Sequence, residues 1–300
     1  MSGIDKGNGI LWKADSSDKD KVRVGPGVVE LEQRKTKLQQ HVEEVSRNGY
    51  TVLENCVNME QLGFFSDQID ALYQLQVREV GDEEKLVKIG DELSVKHLVI
   101  YGEIFLSLAV HKEILDLVGE FLGEYFILNL QNGVINKSDV YHSARDFHRD
   151  LFFQHYSSSR PLAISALVCI DDFTSESGAT FLLPGSHKFD AFPSPEFAKK
   201  HEKQIVAKAG SVIIMDSMVY HRAGENTSGK TRRAISQIYT TPMIKQQISL
   251  PKALGGKYIN DPFLAKFLGY ESETAENVLA WRNVRLDRHK EGGKRGRQIT

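Results

Sequence analysis

The sequence predicts a mostly β fold with flanking helices, in which helices pack on one side of a jelly-roll core. Three observations point there. Apolar residues recur at helical spacing up to about residue 122, then at strand spacing from Phe126 onward. Glycine-containing turns separate the later strands. Helices first and strands later, in one chain of 300 residues, fit an antiparallel sheet core covered by helices.

Residues 1–28 are polar and glycine-containing, and they read as a flexible leader. Residues 29–284 read as a single domain, with no internal repeat and no linker. Residues 32–48 predict a helix, because Leu38, Val42 and Val45 follow at spacings of four and three. Gly49 is placed to end it. A short strand at residues 50–53 follows, then an amphipathic helix at 59–76 with Leu62, Phe65, Ile69 and Leu72 on one face. One or two further helices lie between residues 100 and 122. Strands are expected at 126–135, 162–170, 180–183, 204–207, 212–216 and 233–239. A loop at 251–256 and helices near 261–268 and 270–281 would complete the domain. Residues 285–300 are basic and read as a flexible tail.

Composition narrows the function. A net charge of −2 provides no global basic field, so nucleic acid is not an expected partner. No stretch approaches the apolar length of a membrane span, and the N-terminal residues carry no apolar signal segment. The two cysteines, Cys56 and Cys169, form no disulfide framework, and Cys169 lies in an apolar strand. These points favour a reducing, cytoplasmic setting.

The chemistry lies in His148-Arg149-Asp150, followed by His221 and then Arg232. On an extended backbone His148 and Asp150 point to the same face. One imidazole and one carboxylate can then grip a metal from a single short segment. An imidazole from the distant His221 completes one face of an octahedron and leaves three positions open, as in non-heme Fe(II) oxygenases. Arg232 offers a planar fork for the carboxylate of an acid cosubstrate. Along a strand it shares a face with Ala234, Ser236 and Ile238, whereas Arg233 shares one with Ile235, Gln237 and Tyr239. The smaller first set better suits a barrel interior. The segment from His148 to Leu151 also spells the start of a kinase catalytic loop. The position where a kinase needs Asn holds His155, and the chain has neither an N-terminal Gly-rich phosphate loop nor a downstream Asp-Phe-Gly.

Around these residues stand Ser177-Gly178-Ala179-Thr180 through Pro184-Gly185-Ser186-His187, then Gly210 to Asp216, then Tyr220-His221-Arg222. Arg232 falls eleven residues after His221. In this order they resemble the phytanoyl-CoA dioxygenase family of Fe(II)/2-oxoglutarate-dependent oxygenases, over roughly residues 40 to 245. The resemblance implies a double-stranded β-helix with Fe(II) on His148, Asp150 and His221, and Arg232 on the C5 carboxylate of 2-oxoglutarate. It implies a dioxygenase that consumes O2 and releases succinate and CO2. The family hydroxylates many kinds of small molecule, and related halogenases have a small residue at the place of Asp150, so an aspartate there favours hydroxylation or desaturation over chlorination. One departure is Ala223, where the family often has a hydroxyl. The alternatives are a metal-free or non-oxidative jelly-roll binding or regulatory protein and a cupin-type isomerase or hydrolase.

Other positions invite a role. Asn129 and Gln131 share a face of the first barrel strand if it is regular, and are candidates for binding the cosubstrate. His187 is the rival distal ligand. His142 and His155 flank the triplet, Arg149 points away from the ligands on a regular strand, and Thr180 is a candidate for the barrel lining. Residues 78–100 and 136–147 are polar with weak periodicity, as expected of covering loops.

Overall fold

The computed structural model describes residues 21–26, 28–31, 34–151 and 156–290. A hairpin of β1 (Lys21–Gly25) and β2 (Val28–Leu31) opens the described chain. It stands where the sequence suggests the end of a flexible leader. Helix α1 (Lys37–Asn48) begins on a reciprocal cap. The Thr36 hydroxyl accepts from Gln39 N, and the Gln39 side chain accepts from Thr36 N. Gly49, at φ +84°, ends the helix. A Cβ there would stand 2.4 Å from Val219 and 2.6 Å from His187, so only glycine fits. Strand β3 (Tyr50–Leu53), α2 (Met59–Val80), α3 (Glu83–Ile89), β4 (Ser94–Val95), α4 (Glu103–Ala109) and α5 (Lys112–Leu122) follow.

Next come β5 (Ile127–Asn136), β6 (Ala163–Cys169), β7 (Phe181–Leu182), α6 (Pro195–His201), β8 (Lys203–Gln204), β9 (Val212–Asp216), β10 (His221–Arg222) and β11 (Arg232–Thr240). Helices α7 (Leu250–Ala253), α8 (Pro262–Phe267) and α9 (Val278–Lys290) close the described chain. A six-stranded antiparallel sheet runs β3-β9-β6-β11-β5-β4, and a three-stranded one runs β10-β7-β8. Strand makes up 18% of the chain, so antiparallel sheets with flanking helices, rather than a mostly β protein, is the architecture.

The two faces of the large sheet do different work. Ile164, Val168, Ile214, Ile235 and Tyr239 face α2, α4 and α5 in the main core. Burying such side chains contributes roughly 25 cal/mol per Å² of apolar area. Cys169, Ile213, Met215 and Ala234 face the other way, against Leu182 and Val219 of the small-sheet side. The interior between the sheets holds the candidate site.

Two further stretches differ from expectation. Residues 78–100 are not a loop: α3 and β4 lie there, and Leu93, Val95, Leu98 and Val99 are buried. Toward the C-terminus, α9 runs to Lys290, past the predicted start of the tail. Among the described residues no helix is long and apolar enough to cross a membrane.

Candidate active site

The site is built on paired backbones. His148 and His221 form an antiparallel bridge, with N to O distances of 2.9 and 3.1 Å. Asp150 N donates to Ser217 O, in the turn that leads from β9 to His221. Two residues apart on an extended segment, His148 and Asp150 come to one face as their spacing predicts. One ligand atom from each of His148, Asp150 and His221 lies within 4.8 Å of the others. His221 Nε2 is 3.6 Å from Asp150 Oδ1, and the two imidazole centroids are 4.4 Å apart.

Each imidazole is oriented by its other nitrogen. His148 Nδ1 donates to Asp146 O at 2.8 Å, and His221 Nδ1 donates to Val219 O at 3.0 Å. Such bonds select the tautomer that turns the Nε2 lone pair to the common centre. Burial, then the neighbouring His221, holds the His148 pKa below the usual histidine range. A neutral imidazole is the form that binds a cation. The Ser165 hydroxyl donates to Asp150 Oδ2 and bonds Ser217 Oγ at 2.7 Å. Asp150 Oδ1 is thereby the oxygen that faces His221. Two nitrogens and one carboxylate oxygen are the donor set of a facial ferrous site, so these residues fit the implied metal.

Arg232 enters the same interior from the start of β11 and is 2% exposed. Its guanidinium lies 4.2 Å over the Phe173 ring and donates to Gly178 O at 3.1 Å. Burial lowers its pKa to about 10, against the pull of Cys169 and Asp171. Among the described residues no carboxylate pairs with it. A buried cation without a counterion is costly, and a dicarboxylic acid would supply the missing charge. Gly178, at φ +75°, lets the backbone come this close: a Cβ there would stand 2.5 Å from Gly224 O and 2.6 Å from Asn136 Nδ2. Arg233 points to the helices, where Asp70 grips it at 2.6 and 2.8 Å.

The amide candidates require correction. Gln131 Nε2 donates to Phe105 O of α4 and to Gln237 Oε1, on the helix side of the sheet. Asn129 bonds the Thr240 hydroxyl and Lys245 O, at the opposite end of β11 from Arg232. An irregularity in register between Ile238 and Tyr239 breaks the alternation that would place them together. Asn132 and Asn136 hold the interior positions instead, as register partners of Ser236 and Arg232. Asn136 Nδ2 donates to Gly224 O, and its Oδ1 has no partner.

The remaining candidates divide. His187 is buried against Gly49 at the end of α1 and is not part of the triad. Arg149 is buried, stacks 3.9 Å over Tyr220 and donates to the carbonyls of Ser186, Phe189 and Asp190, away from the ligands. Thr180 is buried, and its carbonyl accepts from Ile205 N. His155 lies outside the described residues. Burial, then Arg232, pushes His142 down to about 4. Ser165 and Ser217 were not among the sequence candidates. Ser165 carried a signal, as a hydroxyl inside the apolar run 162–170.

The chain is similar to several known proteins. An uncharacterized protein of Mycobacterium bovis is 32% identical over 253 residues, covering 81% of this chain and 90% of that protein. An iron/alpha-ketoglutarate-dependent dioxygenase of Aspergillus calidoustus is 26% identical over 262 residues, covering 80% and 82%. The fold is shared with the epimerase SnoN, solved with Fe3+, alpha ketoglutarate and nogalamycin RO. That match has a TM-score of 0.53 at 17% identity and covers 68% of this chain and 84% of that one. Relatives, fold and triad together define a non-heme iron dioxygenase that works with 2-oxoglutarate. The chain belongs to the phytanoyl-CoA dioxygenase family, whose model matches residues 45–234.

Proposed function

We propose that His148, Asp150 and His221 hold Fe(II) at the end of a jelly-roll interior, that Arg232 binds the C5 carboxylate of 2-oxoglutarate, and that the enzyme hydroxylates a C–H bond of a small molecule. The observation that carries this reading is the triad itself, with both Nδ1 atoms tied to carbonyls and both Nε2 atoms free to bind. When bound, the metal supplies the oxidation, in which O2 and 2-oxoglutarate are consumed and succinate and CO2 leave with the hydroxylated product.

The chain's own residues prepare the geometry. Ser165 holds one oxygen of Asp150 and leaves the other for the metal. The His148–His221 bridge fixes the spacing of the two imidazoles before any cation arrives. Arg232, held over Phe173 and tethered to Gly178 O, presents a fork that orients the cosubstrate along the interior. Arg233 takes no part, because Asp70 and Asp171 already engage it. Two free, buried thiols suit a reducing cytoplasm, where a ferrous site is easiest to maintain.

The test is succinate formation on adding Fe(II), 2-oxoglutarate and O2 to the purified protein. Turnover that needs all three is expected. Metal binding without succinate would favour a non-oxidative binding protein.

A further inference from the structure

The loop of residues 137–147 joins the two halves of the site. It starts after Asn136, the register partner of Arg232, and ends at His148, the bridge partner of His221. Both of its rims are fastened. Ala223 N donates to Ala144 O at 2.7 Å. Ser143 N donates to Glu92 Oε1 at 2.9 Å, and Ser143 Oγ donates to Gly90 O at 3.2 Å.

His142 stands beside these anchors. It is 3% exposed, and its Nε2 has no hydrogen-bond partner. A buried polar atom left unpaired costs about 1–3 kcal/mol and calls for an explanation. Of the neighbouring charges that act on it, Arg232 is first, followed by Arg145, Glu92 and His148. The loop that carries His142 leaves from Asn136, beside Arg232, is pinned at Ala144 to Ala223, and ends at the first metal ligand. Two other polar groups near Arg232 are already engaged. Asn136 Nδ2 donates to Gly224 O, while its Oδ1 is an acceptor. Arg145 is paired with Glu225 at 2.9 Å.

We propose that His142 is a cosubstrate-binding residue whose Nε2–H donates to the C5 carboxylate of 2-oxoglutarate as that carboxylate docks on Arg232. This inference rests on the dioxygenase reading above. Arg232 supplies the charge, and His142 supplies a second donor from a different element. The carboxylate is then held from two sides, and the unpaired nitrogen is satisfied. Because the loop also carries His148, the same contact ties cosubstrate binding to the position of the metal.

The experiment is calorimetric titration of 2-oxoglutarate into Mn(II)-loaded protein under nitrogen, with no turnover. His142→Ala should weaken binding about 10- to 100-fold, the range for a hydrogen bond to a charged group. His142→Gln, which keeps an N–H donor, should recover most of that loss. Binding of 2-oxobutanoate, which lacks the C5 carboxylate, should be unchanged in both variants. Thermal melts establish that each variant is folded. An unchanged 2-oxoglutarate affinity in folded His142→Ala would overturn the assignment. So would equal losses for the two keto acids, or a glutamine variant no better than alanine. If wild-type protein with metal takes up no 2-oxoglutarate, the dioxygenase reading fails and this inference falls with it. If wild type binds and Arg232→Ala does not, that reading stands and the His142 variants are decisive alone.

Discussion

The two faces of β11 treat adjacent arginines in opposite ways. On the helix side, Arg233 is paired with Asp70 and Asp171. On the interior side, Arg232 is more deeply buried and is given an aromatic ring and carbonyl oxygens but no carboxylate. A structural cation is neutralised where it stands. A binding cation is kept at a cost in stability, so that a ligand can complete it. The interior repeats this pattern: His148 and His221 turn their Nε2 atoms toward Asp150, and Asn136 Oδ1 has no partner. The helix side is not perfectly closed, since Gln131 Oε1 and Gln237 Nε2 also lack partners.

The comparison is sharpest at the metal triad, where the largest effect is expected. Asp150→Ala should abolish succinate formation and weaken Fe(II) binding, whereas Asp70→Ala on the helix side should leave turnover within about twofold. Full activity in the Asp150 variant would end the assignment of interior and helix faces.

The two arginines give the next effect. Arg232→Ala should weaken 2-oxoglutarate binding by about 2–5 kcal/mol, as for loss of one partner of a buried charge pair. It should not lower the melting temperature of the cosubstrate-free protein, because it removes an unpaired buried charge. Arg233→Ala should do the reverse. It should leave cosubstrate binding intact and cost stability of about 1 kcal/mol or less, because Asp70 is half exposed. Exchanged phenotypes in titration and melting would refute the face assignment.

The pairing of His148 with Asp150 and the facing of Arg232 away from the helices were legible because both depend on short-range alternation. His221 is distant in sequence, and only the order of the motifs pointed to it. Gln131 and Asn129 were misread because the facing of β5 depends on its register with β11 and on an irregularity there. A one-residue slip moves every side chain to the other face, and no signal within β5 reveals it. The helical α3 was hidden for a different reason. It is a seven-residue, charge-rich element whose single buried residue, Leu86, carries no periodicity. Its stability comes from Asp82 capping Lys85 N and from packing on α2.

A pH experiment probes the helix side. Burial raises Asp216 to about 6, above its ordinary value of 3.8. The folded state therefore holds this proton more tightly than the unfolded chain does. The contribution of Asp216 to stability should decline as pH rises from about 4 to about 6, by on the order of 2–3 kcal/mol. His187, lowered to about 4 by burial, has the opposite sign: its contribution is lost as pH falls from 6.5 toward 4. Asp216→Asn should remove the first effect and leave the second. Its melting temperature should gain on wild type between pH 4 and 6 and run parallel above. A constant difference across that range would show that Asp216 titrates normally.

The smallest effect belongs to the loop over the interior. Ser143→Ala deletes the hydroxyl bond to Gly90 O but keeps the backbone bond to Glu92. Hydrogen exchange across residues 140–146 should speed up by about fivefold, matching roughly 1 kcal/mol of lost local stability. Unchanged exchange would show that the rim is held by Ala223 and Glu92 alone.

Gly178 and Gly224 meet backbone to backbone next to Arg232, with no room for even one methyl group between them. On the proposed reading, the wall that would receive the cosubstrate is therefore made of main chain, and point mutation cannot reshape it without strain. On the same reading, a change of substrate would fall to the other end of β11, where Leu130, Leu162, Met218 and Ile244 pack with Ile238 as replaceable side chains. An evolving lineage can then exchange the molecule it oxidises while inheriting the acid it consumes.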